Sequence, residues 1–283
     1  MNTDEQLRWE ARFGPPAAAA ALVAALLQLA ALVVQTPAIR DAPSRDEDVR
    51  YRESLEHANE FAGTLVTTVI ISAAAAALTV AALLYLFEAA RYRRPQLRAG
   101  LRWVFIAAPV LLLAGPLLIQ LNAQDLADQF LASGEQSNAR AESLIEDNQS
   151  VLGFALFTAG ALGLAVGFVM ISLQSMRAGL LSRFMGILGV IGGILTVIPL
   201  LQFPVVEVFW LAALGLIFLG RWPGGRGPAW ETGRDDPWPV PQRGAPRGGP
   251  EEPAPSGPGG NGVPPEPEPV PERPRSRKRK RRK

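Results

Sequence analysis

The chain has no cysteine and one histidine, His57, so disulfides, thiolate catalysis and cysteine-ligated metals are excluded. It also lacks a Gly-rich phosphate loop ending in Gly-Lys-Ser/Thr and the dinucleotide-binding glycine pattern. Intramembrane proteolysis would need a serine nucleophile paired with a histidine at membrane depth. Lipid phosphotransfer would need a dense Asp/Arg or His motif near one leaflet, and the sequence has neither. The expectation is a protein that is not an enzyme and holds no cofactor or metal. His57 shares a predicted helix face with Glu53 and Glu60, but a lone imidazole among acids reads as a solvated face rather than a cation site.

Charge is scarce where the apolar residues are. Six apolar runs, at about 15–35, 61–87, 101–121, 151–173, 184–201 and 205–220, contain almost none of it, with Glu207 the exception well inside a run. A helix needs roughly 20 apolar residues to cross about 30 Å of hydrocarbon, so these runs predict an all-α membrane protein with six transmembrane helices. The first run is long and no clear small-x-small cleavage site follows it, so it reads as a retained span rather than a signal peptide. The turn at Gln202, Phe203 and Pro204 is short enough to make the last two spans antiparallel neighbours. Pro109 and Pro116 lie within the third run, where each removes a backbone donor.

The segregation of charge gives an orientation. Arg8, Arg12, Arg91, Arg93, Arg94, Arg98, Arg102, Arg177 and Arg183 fall on one side, and Arg40, Arg45, Arg50, Arg52 and Arg140 on the other. Nine against five favours both termini in the cytoplasm of a bacterial plasma membrane. The outer segments carry most of the acids outside the tail and predict helical extracytoplasmic extensions. Ser44 and Glu47 have the spacing of a capping box that opens a helix running on through 61–87. Ser133-Gly134 divides 122–150 into two helical pieces, each continuous with a span.

Composition changes at Trp222. Residues 1–222 form the transmembrane domain, and 223–283 are so rich in Pro and Gly that a disordered cytoplasmic tail is predicted, with Trp230 and Trp238 able to lie on headgroups or inner helix ends. The tail ends in Arg275, Arg277, Lys278, Arg279, Lys280, Arg281, Arg282 and Lys283, a cluster suited to anionic lipid headgroups and, less well, to nucleic acid.

Two features inside the bilayer stand out. Glu207, with Gln120 and Gln202 at the same level, is the candidate intramembrane polar site; the plainer reading is a carboxylate anchored at the outer interface, about one turn after Pro204. Gly160, Gly163 and Gly167, with Gly186, Gly189 and Gly193, give small-residue spacings that suit close helix packing, within the chain or in a homo-oligomer.

The stretches 175–186 (SMRAGLLSRFMG) and 221–233 (RWPGGRGPAWETG) resemble uncharacterised multi-pass membrane proteins of actinobacteria with a Pro-rich tail and a basic end. The resemblance covers the last two spans and the start of the tail. It implies the same membrane architecture and transfers no functional residue. The favoured expectation is a membrane scaffold or accessory subunit, with a membrane-protein partner or a second copy. A small-solute or proton-coupled transporter using Glu207 and a tether for nucleic acid or ribosomes are the alternatives.

Overall fold

The computed structural model describes residues 2–97, 100–197, 204–223 and 225–238. Among these, all regular structure is helical: α1 (Thr3–Arg40), α2 (Arg50–Glu60), α3 (Ala62–Arg93), α4 (Leu101–Ala132), α5 (Asn138–Asp147), α6 (Val151–Arg177), α7 (Arg183–Val197), α8 (Val205–Phe218) and α9 (Ala229–Thr232). Four of them, α1, α3, α4 and α6, are long and apolar enough to cross a membrane. α7 and α8 are apolar but have 15 and 14 residues, or about 21–23 Å at 1.5 Å per residue. Gln202 and Phe203 of the expected turn lie outside the described residues.

The six apolar helices form a closed ring in the order α1, α3, α4, α6, α7, α8 and back to α1, with α3 also touching α6 across it. α1 shows how such a ring packs. Its buried apolar positions, Ala17, Ala18, Ala21, Ala24, Ala25, Ala31 and Ala38, are all alanine, whereas Val23, Leu26, Leu29 and Val33 are exposed. Small residues let backbones approach, and the large ones are left on the outside of the ring, an arrangement that suits a membrane helix.

α1 is one helix through Pro15 and Pro16, where the sequence predicted the span to begin. Packing against α3 and α8 on either side holds it where two backbone donors are missing. Its start is a capping box: Asn2 Oδ1 accepts from Glu5 N at 2.8 Å, and Glu5 Oε2 accepts from Asn2 N at 2.9 Å.

The extensions expected on the outer side differ from expectation in three ways. The Ser44–Glu47 capping box does not form; Ser44 Oγ accepts from Asp46 N instead, and α2 starts at Arg50. Its cap comes from far along the chain. Asn138 Oδ1 accepts from Tyr51 N and Arg52 N at 3.0 and 3.1 Å, and its Nδ2 donates to Glu47 O at 2.9 Å. α2 is also not continuous with α3, because the chain breaks at Phe61, whose ring lies 4.8 Å from that of His57. His57 Nε2 is 2.9 Å from Ala38 O at the end of α1, a bond that orients the turn. Finally, α5 ends before α6 begins, the gap being closed by Asn122 Nδ2 donating to Asn148 O at 2.9 Å. The break at Ser133-Gly134 falls where the sequence put it. Leu55, Ala58, Leu126, Ala127, Phe130, Ala141 and Leu144 give this cap a small core of its own.

Candidate functional site

Two groups of polar side chains are drawn into the bundle, one at each end. At the basic end, Glu10 of α1 meets Arg93 at the end of α3. Arg93 Nη1 donates to Glu10 Oε1 at 2.5 Å and Nη2 donates to Oε2 at 3.1 Å, with both side chains almost wholly buried. The rest of the guanidinium is also used. Nη1 donates to Ala89 O at 2.9 Å, and Nη2 and Nε both donate to Ala229 O, at 2.6 and 3.2 Å. All five donors therefore have acceptors, and Gln6 Nε2 adds a bond to Glu10 Oε1 at 2.7 Å.

Because Ala229 and Trp230 follow the last apolar helix, this pair ties the chain beyond Trp222 back under the ring. Trp230 is 4% exposed and donates from Nε1 to Leu180 O at 2.9 Å. Its ring stacks near Tyr85, which in turn stacks on Trp9 and meets the edge of Phe218. Arg226 lies over the Trp230 ring, 5.4 Å from its centroid, and donates from Nε to Ile217 O at 3.0 Å. Gly179, at φ 71°, sits where a side chain would collide with the backbone of Asp236. The packed unit thus runs to Trp238 in the described residues, past the boundary that composition suggested at 222. Proline and glycine dominate that segment on average, yet a single large aromatic supplies the apolar area that the average hides.

At the opposite end, the carboxylate of Glu207 turns toward α1. Gln28 Nε2 donates to Glu207 Oε1 at 2.8 Å, while Gln28 Oε1 is buried with no partner. Glu207 makes no capping bond to its own helix, though it stands in the first turn of α8, where the helix dipole favours negative charge. Around the pair lies a cavity of about 270 Å³, lined by Gln28, Gln35, Ser72 and Glu207 with an apolar wall that includes Ala31, Leu112 and Leu164. Gln120 is not in that lining, and Gln202 lies outside the described residues. The sequence found Glu207 but not Gln28; the signal was a glutamine recurring at 28 and 35, two turns apart on one face of an otherwise apolar helix.

The glycines stand at helix crossings. A Cβ at Gly160 would meet Leu112 at 3.0 Å and one at Gly167 would meet the Phe105 ring at 2.9 Å, so both admit α4. Gly163 has room, its nearest neighbours lying at 3.6 Å. Gly186, Gly189 and Gly193 face Met176, Ser172 and Phe168 of α6. Among the described residues, no group of three His, Cys, Asp or Glu could hold a metal ion. The basic cluster from Arg275 to Lys283 lies outside the described residues.

No protein-family model, curated protein or solved structure matches this chain.

Proposed function

We propose that the chain is a six-span protein of the bacterial plasma membrane, with both termini cytoplasmic, that serves as a non-enzymatic scaffold or accessory subunit and presents a basic tail to anionic lipid. The observation that carries this reading is the packing of residues 225–238 against the basic end of the ring through Trp230 and Ala229. That packing supports the reading because it keeps the last described residues beside the end of the ring that this orientation puts at the inner leaflet. Read as a coil from its composition, the linker 239–274 spans about 30–36 Å, so residues 275–283 return readily to the bilayer. Tethering makes that encounter intramolecular, and each Lys or Arg near an anionic surface contributes about 1 kcal/mol.

Two measurements test the proposal. Cysteines placed at Ser54 and Ser137 should react with an impermeant thiol reagent in intact cells, whereas one at Ser276 should not; the reverse pattern overturns the orientation. A peptide of residues 239–283 should sediment with anionic vesicles, less at physiological than at low salt, and not with neutral ones. Capture by RNA in the presence of excess anionic vesicles would instead favour nucleic-acid tethering.

A second reading, a small-solute or proton-coupled transporter, is favoured by the cavity at Glu207. It requires flux across proteoliposomes that Glu207→Gln abolishes.

A further inference from the structure

The Glu207 cavity has a chemistry that the tail does not share, and the scaffold reading neither requires nor excludes a ligand there. Its lining, to which Gln35 and Ser72 also belong, holds oxygens that no protein donor reaches. Gln28 gives an N–H to Glu207 Oε1, which leaves the second carboxylate oxygen, and the orphaned Gln28 Oε1, without protein donors. Ser72, exposed on α3, brings a hydroxyl oxygen to the same cavity. A buried acceptor without a donor is costly, so whatever fills the site best is rich in N–H or O–H groups.

Charge and size narrow the choice. Glu207 is the one ionisable side chain in the lining, which matches a single positive charge. A bare metal ion needs several oxygen ligands converging at about 2.3–2.6 Å and leaves most of the space empty. The cavity, at about 270 Å³, has room for several waters at about 30 Å³ each, and more than half of its lining residues (Ala31, Leu32, Ala76, Leu112, Leu164 and Pro204) are apolar. Among these residues there is no aromatic face to receive a quaternary ammonium.

We propose that this cavity binds a small primary alkylammonium ion, its three N–H groups directed to Glu207, Gln28 and Ser72 and its alkyl part to Leu112 and Leu164. The ligand gives N–H groups to the oxygens that no protein donor reaches and neutralises the carboxylate, while its short chain covers the apolar wall. Such an ammonium has three donors, like a lysine head, which distinguishes it from a tetraalkylammonium ion of the same charge.

The test uses the full-length protein in lipid nanodiscs, with n-propylammonium as the probe and tetramethylammonium, sodium and potassium as comparators. Calorimetry should show saturable propylammonium binding with a dissociation constant on the order of a millimolar, given so few ligand atoms. Tetramethylammonium and both metal ions should bind about tenfold more weakly or not at all, the cost of a lost charge-assisted hydrogen bond. Glu207→Gln should weaken propylammonium at least about tenfold and Gln28→Leu about fivefold, with elution volume and melting temperature showing that each variant is folded. Ser72→Ala, at the exposed edge, provides a variant with little risk to folding and should weaken binding about threefold. The proposal is overturned if the folded wild type shows no saturable propylammonium binding, if sodium or potassium binds as tightly, or if Ser72→Ala and whichever of the other two variants fold bind it unchanged.

Discussion

The two ends of the ring handle polar groups in opposite ways. At the basic end, Arg93 uses all five of its donors on Glu10, Ala89 and Ala229, and aromatic rings from α1, α3, α8 and α9 close over the pair. At the other end, Glu207 has a single side-chain partner, that partner keeps a buried oxygen unmet, and the space around them is unfilled by protein. A satisfied network fixes a structure, whereas unmet acceptors beside a cavity leave capacity for a ligand. Stability and binding are thereby separated along the bundle axis, and substitutions at the two ends should differ in kind.

The largest effect is expected at the basic end. Arg93→Ala leaves the Glu10 carboxylate buried without its countercharge and should cost about 3–5 kcal/mol, read as a large fall in melting temperature or loss of the folded protein. Replacing both partners, as Glu10→Leu with Arg93→Met, should recover much of that loss, because the charge left behind, more than the pair's own attraction, sets the cost. A folded Arg93→Ala protein as stable as wild type would refute the claim that this end is the seal.

Next in size is Trp230→Ala, which empties a buried site and should cost about 3 kcal/mol. Its more specific readout is limited proteolysis. Arg226 and Arg234 flank the indole, and trypsin should cleave there in the variant well before it cleaves the wild type. Equal cleavage in the two proteins would show that Trp230 does not hold the segment.

How far the sequence revealed these two ends depends on the range of the interactions. The apolar runs and the break at Ser133-Gly134 are local signals, and the helices appear where they predict, although α7 and α8 are shorter than full spans. Asn138 capping α2 was not legible, since donor and acceptor lie 87 residues apart, and the local Ser44–Glu47 pattern pointed to the wrong cap. Arg93 entered the sequence reading only as one of the arginines that mark one face, and Glu10 did not enter it at all. Only the antiparallel pairing of α1 with α3 brings them together and buries an arginine that stands at a helix end. Trp230 and Trp238 stood out against the Pro/Gly composition as able to lie on helix ends, and Trp230 does pack there, but its partner Leu180, 50 residues away, was not legible.

The Asn138 cap offers a smaller and more local test. Asn138→Ala removes two bonds to the first turn of α2 and should cost about 1 kcal/mol. The change should be confined to the extension formed by α2 and α5, where amide exchange across residues 50–60 speeds up while the apolar helices are unaffected. If exchange rose equally throughout α1 and α3, the cap and the ring would have to be a single cooperative unit, contrary to the separate core under α2 and α5.

The smallest effect on stability is expected at Glu207, and it sharpens the contrast most. Glu207→Gln retains a carbonyl oxygen where Oε1 now accepts from Gln28, so the bond between α8 and α1 survives. It removes a charge from a half-buried position with no basic partner, which relieves a desolvation cost, while the first turn of α8 loses a favourable dipole interaction of about 0.3–1 kcal/mol. These terms oppose each other, and the melting temperature should move by no more than a few degrees in either direction. At the basic end the conservative change Glu10→Gln has no such balance, since Arg93 would then be a buried cation without a countercharge, and it should destabilise by several kcal/mol. The same chemical substitution at two carboxylates in one bundle thus measures the difference directly by thermal unfolding in matched nanodiscs. Comparable losses at the two sites would mean that Glu207 is part of the structural frame, and the division between a sealed end and a receptive end would fail.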